Sequence, residues 1–162
     1  MAREYIDAGF EVVFDDDHAG EAADIVCLKE EQNHIRLVLL HCKFAGGEDA
    51  GRRVKDVVEV CSQAVRSAKW KWRFRDLLRH IAGREERLRT DERNTRFLAG
   101  KGPILTRFVR LHRFKEVRAE IAIVQPGLSM ASRTDDQNMV LAAAVTYLKE
   151  TIGADLRVIC SA

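Results

Sequence analysis

Two apolar runs separated by a short polar stretch constrain this chain most. Ala22-Ala23-Asp24-Ile25-Val26-Cys27-Leu28 is the first, and Leu37-Val38-Leu39-Leu40-His41-Cys42-Lys43 is the second. In the second, four apolar residues in a row leave no wet face, so it reads as a buried strand. Between them, Lys29 to His34 suits a hairpin connection. A turn centred on Gln32-Asn33, where Asn tolerates positive φ, pairs positions whose numbers sum to 65, so Asp24 faces His41. Side chains alternate with period two, so Lys43 shares that face. A carboxylate, an imidazole and an ammonium would then meet at the end of one hairpin. Burying such groups is costly unless they pair or are used.

Around this hairpin the chain reads as one α/β domain. Residues 1–9 look like a helix end closed by Gly9, and Phe10 to Phe14 like a strand. In the acidic turn that follows, a centre on Ala19-Gly20 sets Asp15 opposite Asp24, and a half-step slip sets Asp16 there instead. Either carboxylate could approach Asp24, or the run could be solvated turn chemistry. Ala45 to Gly51 reads as a loop. From about Gly51 to Trp72, Val54, Val57, Val58, Cys61, Ala64, Val65 and Ala68 recur at helical spacing. Gln63 lies beside that stripe and either reaches the site or caps a neighbouring loop. Residues 76–100 read as charged helix with a break at Asp91 to Asn94, and Ile104 to Lys115 as an amphipathic helix. Glu120 to Gln125 reads as a strand stopped by Pro126-Gly127. A helix capped by Thr134 or Asp135 runs to about Thr151, and Leu156 to Cys160 is the last strand.

Charge is segregated along the chain. Residues 66–118 hold 17 Lys and Arg against 6 Asp and Glu, leaving 10 basic and 19 acidic residues elsewhere. A basic face beside an acidic pocket suits a polyanion and a cation. Within Lys69-Trp70-Lys71-Trp72-Arg73-Phe74-Arg75, and on to Arg79, cations can neutralise phosphates while aromatic rings stack on bases. The competing reading is an amphipathic helix whose aromatics enter the core. Cys27, Cys42, Cys61 and Cys160 form no C-x-x-C pair and read as packed thiols of a reducing cytosol. No apolar run reaches membrane-spanning length and the first residues are too polar for a signal peptide, so a soluble cytoplasmic protein is expected.

An aspartate on one strand, two residues straddling one position at the end of the next and a long helix after it resemble the PD-(D/E)XK nuclease fold. Here Ala23-Asp24 and His41-Cys42-Lys43 carry the likeness. Gly20 to Val26, His41 to Phe44, Glu59 to Ala64, Val124 to Ser129 and Val158 to Ser161 are similar, in order, to the C-terminal region of large bacterial DEAD/DEAH-box helicases. The resemblance implies a restriction-endonuclease-like mixed sheet flanked by helices, with a basic helical insert over about 73–116. It implies a single domain over 1–162 belonging to a longer protein, with a helicase module in cis or in trans. It further implies a Mg²⁺- or Mn²⁺-dependent deoxyribonuclease. In that reading Asp24, His41 and the Cys42 carbonyl hold the metal, Lys43 positions water, Gln63 supports the site, and Lys69, Lys71, Arg73, Arg75 and Arg79 track DNA. The alternative is a catalytically degenerate module for nucleic-acid binding or helicase docking.

His41 stands where the family carries Asp or Glu. Imidazole is a poor Mg²⁺ ligand and a better one for Mn²⁺ or Zn²⁺. Three readings stand for it: unusual ligand, proton-transfer group, or mark of lost activity. Asp15, Asp16 or Glu21 could supply the missing carboxylate, although strand parity turns Glu21 to the opposite face. Glu4 is the nearest substitute for an acid from the fold's first helix.

Overall fold

A computed structural model of the chain describes residues 1–43, 53–88 and 95–161. The expected loop at Ala45 to Gly51, the helix start at Gly51, Phe44, and the break at Asp91 to Asn94 lie outside the described residues. The element order is α1 (Ala2–Asp7), β1 (Val12–Asp15), β2 (Ile25–Glu30), β3 (His34–Cys42), α2 (Val54–Ser67), α3 (Lys69–Trp72), α4 (Phe74–Leu88), β4 (Phe97–Ala99), α5 (Gly102–Leu111), β5 (Glu116–Ser129), α6 (Asp135–Ile152) and β6 (Leu156–Ser161). Six strands form one mixed sheet in the order β4-β1-β2-β3-β5-β6. The first four pair antiparallel, whereas β3-β5 and β5-β6 are parallel. The protein is thus α/β, with a mixed sheet flanked by helices. Among the described residues no helix is long and apolar enough to cross a membrane.

Alternation sorts each strand's side chains between two cores. Val26, Leu28, Ile35, Leu37, Leu39, Ile121 and Ile123 pack in the larger core with α2, α4, α5 and α6. Cys27, Val38, Leu40 and Ala122 pack on the other face with Tyr5 of α1 and Phe10. Both faces are covered, which explains why β3 carries no wet positions near its centre. The four cysteines are free, and burial pushes the Cys27 thiol up to about 12 and the Cys61 thiol up to about 11.

The β2–β3 register runs from Ile25 opposite Leu40 to Glu30 opposite Ile35, and so keeps the expected sum of 65. In the β1–β2 pair the slipped register holds: Asp15 faces Ile25, and the Asp16 N–H reaches the Asp24 carbonyl at 2.9 Å. Thr134 caps α6 through a reciprocal box with Gln137, and Gly153 closes it in the left-handed region.

Four expectations need correction. The long helix does not run unbroken to Trp72. It ends at Ser67, where the Ser67 hydroxyl takes the Ala64 carbonyl and Ala68 N–H turns back to Val65. The stretch 76–100 is not all helix, because Phe97–Ala99 adds an edge strand to β1. Pro126-Gly127 does not stop β5. It sits where the β5–β6 register shifts between Gln125 and Ser129, a bulge in which the missing N–H costs no ladder bond. The helix expected over Ile104 to Lys115 begins earlier, with Pro103 in its first turn, and ends at Leu111.

Candidate functional site

The β2–β3 hairpin delivers its three polar residues to the helical side of the sheet. Asp24 immediately precedes β2 and is tied to the end of β3, since the Cys42 N–H donates to Asp24 Oδ2 at 2.7 Å. Lys43 continues the parallel ladder through its N–H to the Val124 carbonyl, and its Nζ donates to Glu59 Oε1 on α2 at 2.7 Å. That partner raises the Lys43 ammonium's pKa, with a smaller contribution from the Asp24 charge. Asp24, His41 and Lys43 therefore share a face, but each side chain takes a different partner.

His41 is 2% exposed, and its Nε2 lies 3.0 Å from Ser67 Oγ. The serine has one proton and gives it to the Ala64 carbonyl at 2.7 Å. At His41 the hydroxyl must then accept, so the imidazole is the Nε2–H tautomer and Nδ1 keeps its lone pair. That Nδ1 is buried and has no hydrogen-bond partner among the described residues. Burial, helped by the nearby Arg66 charge, pushes the His41 pKa down to about 4. Burial thus favours the neutral ring at neutral pH, and its bond to Ser67 ties β3 to α2.

Carboxylates gather instead in the turn before β2. Ligand oxygens of Asp17, Glu21 and Asp24 all lie within 4.8 Å of one another. His41 and Cys42 are not members of this group. Neither Asp15 nor Asp16 supplies the extra acid. Asp15 Oδ1 accepts from the Asp17 N–H, while Asp16 is wholly buried and turned away toward α4. Glu4 lies on α1, across the sheet, and pairs with Arg157. Parity misjudged Glu21 because β2 starts only at Ile25; a residue in the preceding turn has no strand alternation to obey. The His18 N–H fixes Glu21 Oε2 at 3.1 Å, and Gln63 Nε2 reaches Glu21 Oε1 at 3.4 Å. Gln63 thus does reach the site. Burial, and then the Glu21 and Asp17 charges, raise the Asp24 carboxyl, against the lowering effect of the Cys42 N–H.

A cleft of about 270 Å³ opens beside these groups, lined by Glu21, His41, Gln63, Arg66, Lys69 and Trp70 among others. Lys69 Nζ sits 4.8 Å from the Trp70 ring centroid. The other cations of the basic stretch diverge. Lys71 Nζ donates to the Ile152 carbonyl at 2.8 Å, and Arg73 and Arg79 both hold Asp76. Arg75 is exposed. Successive residues of a helix point about 100° apart, so strict alternation in sequence does not make one row in space. Of these five cations, Lys71, Arg73 and Arg79 are engaged within the chain.

One polar cluster had no sequence signal. Asp16 accepts from the Ala22 N–H at 2.6 Å, lies 2.7 Å from His80 Nε2, and accepts from Arg84 Nε at 2.7 Å. Arg84 also holds the Asp16 and Ala19 carbonyls. Burial would raise the Asp16 carboxyl, but His80, Ala22 and Arg84 together hold it below the usual carboxylate range. This network fixes the turn that presents Asp17 and Glu21.

No family model matches the chain, and no curated protein or solved structure matches it either.

Proposed function

We propose that this is a metal-dependent DNA endonuclease-like domain of the restriction-endonuclease-like fold, working in the cytoplasm beside a helicase module. The observation that carries the reading is the Asp17–Glu21–Asp24 group, gathered at the end of the hairpin that also bears Lys43. Three carboxylates this close repel one another, with the Glu21 and Asp17 charges adding to burial in raising the Asp24 pKa, and a divalent cation would relieve that repulsion. The donor set is all oxygen, which suits Mg²⁺ or Mn²⁺ better than a set built on His41. A bound cation would polarise a phosphodiester and make its water a better nucleophile.

The chain's own residues would do the rest. Asp24, held by the Cys42 N–H, gives the site its fixed point. Gln63 orients Glu21. Lys43, released from Glu59, would place the attacking water, while Arg66 and Lys69 would meet phosphate oxygens from the cleft wall. His41 would hold the end of β3 against α2.

A second reading has its own support. Lys43 is engaged by Glu59 and His41 is sequestered by Ser67, as suits a nuclease-fold module that binds or docks without cutting. A nicking assay on supercoiled DNA with Mg²⁺ or Mn²⁺ separates the two. Cleavage that falls on the order of a hundredfold in Asp24→Asn, Glu21→Gln and Lys43→Met supports the first reading. Cleavage indifferent to all three changes overturns it, and salt-sensitive binding without cleavage supports the second.

A further inference from the structure

Trp72 and Phe114 are 68% and 88% exposed, unusual for side chains of this size. They stand two residues before and two residues after the contact that joins the start of α4 to the end of α5. There the Phe74 and His112 rings lie 5.2 Å apart. Burial and the neighbouring Arg75 charge lower the His112 pKa, which places a guanidinium beside the same junction. The two segments that carry these aromatics, 69–75 and 110–115, contain seven Lys and Arg and no Asp or Glu. Arg75, Arg110 and Arg113 are exposed and have no carboxylate partner among the described residues. Lys71 Nζ rests 4.7 Å from the Trp72 ring centroid.

Exposed rings alone would suit many partners. Rings set beside the unpaired Arg75, Arg110 and Arg113, with no acid in either segment, complement a polyanion that also offers flat apolar faces. We propose that this junction is a stacking platform for an unpaired nucleic-acid strand, with Trp72 and Phe114 against bases and Arg75, Arg110 and Arg113 against phosphates. Duplex bases are stacked on one another and do not present such faces. The geometry also joins the platform to the cleft: α3 carries Lys69 and Trp70 on the cleft wall and Trp72 at its other end. A strand seated on the platform would run along α3 toward the acidic group. The inference rests on the nuclease-like reading and names the form of its substrate.

Binding is measured by fluorescence anisotropy in EDTA, so that cleavage plays no part. The probes are a labelled oligothymidine of about 15 nucleotides, a duplex of the same length, and vesicles of anionic phospholipid. The unpaired strand should bind tighter than the duplex, and its affinity should fall steeply between about 50 and about 200 mM salt. Trp72→Ala and Phe114→Ala should each weaken it by about fivefold or more, and Trp72→Phe should restore most of the loss. Arg75→Gln with Arg113→Gln should flatten the salt dependence. Nicking with Mn²⁺ is assayed in parallel on the same variants, so failure of catalysis and failure of the platform are read separately. Equal affinity for duplex, indifference to both alanine changes, or binding to vesicles but not to the strand would each overturn the proposal.

Discussion

His41 Nε2 and Ser67 Oγ lie 3.0 Å apart, and the serine proton is already committed to the Ala64 carbonyl. The imidazole is thereby fixed as a neutral donor in a site that burial keeps from charging. Its pKa falls from 6.5 to about 4.

The pH consequence has a definite sign. Between pH 6.5 and 4 the unfolded chain binds a proton at His41 that the folded chain refuses. Stability should therefore be intact above pH 6.5 and decline as pH falls, with a loss on the order of 3 kcal/mol by about pH 4. Urea unfolding across this range, on the parent and on His41→Gln, isolates the effect. Contributions from His112 and Asp16 are common to both proteins and cancel in the difference. Parallel curves would show that His41 is not the group responsible.

Asp16 and Arg84 form the most enclosed ion pair described. Removing one partner leaves a buried charge uncompensated, at a cost typically of about 3–5 kcal/mol. Asp16→Asn should lose stability on that scale. The double variant Asp16→Asn with Arg84→Met should lose less than the two single changes together, as a double-mutant cycle by denaturant unfolding would read. Because this pair holds the turn bearing Asp17 and Glu21, Asp16→Asn should also weaken Mn²⁺ binding measured by calorimetry. Additive losses with unchanged metal binding would separate the turn from the network.

What the sequence disclosed follows from the range over which each physical rule acts. The β2–β3 register was legible because a short polar connection and two apolar runs leave one pairing that buries both. Asp24 and Lys43 fell on one face for the same reason. Glu21 was misplaced because alternation ends where the ladder ends. Asp17 carried no signal beyond belonging to an acidic run. The Asp16–His80–Arg84 network joins residues more than sixty positions apart, and no local pattern records it. β4 is three residues long, too short to display a period, and is selected by pairing with β1. The basic stretch left two readings open because its alternation has a strand's period while its setting is helical, and a helix points successive residues about 100° apart.

Lys43 and Glu59 make an exposed pair, so separating them should leave folding stability nearly unchanged. Its effect on chemistry should be larger. Glu59→Gln removes the carboxylate that holds the ammonium at 2.7 Å and leaves Lys43 free to turn toward Asp24. If the domain cuts DNA, nicking with Mn²⁺ should rise severalfold in this variant and vanish again in the double variant with Lys43→Met. Binding without nicking in every variant would favour the docking module. Unfolding curves recorded beside the assay keep a loss of folded protein from being read as chemistry.

Two glycines, Gly83 and Gly100, give a test in which the sign of the effect differs. Gly100 follows β4 with φ +87°, a region that disfavours side chains, and a Cβ there would collide with the Glu11 carbonyl oxygen. The obstacle is backbone, and β4 is already seated on β1 through Val13–Ala99 and Phe14–Phe97 pairs, so neither side can yield cheaply. Gly100→Ala should cost on the order of 1–3 kcal/mol from the dihedral alone, before the clash. Gly83 lies inside α4 with nothing within 4 Å of an added Cβ. Gly83→Ala should stabilise by roughly 0.5–1 kcal/mol, since alanine forsakes less conformational freedom in a helix. Denaturant midpoints measured side by side should move in opposite directions. A neutral Gly100→Ala would mean that β4 is not held against β1 in solution.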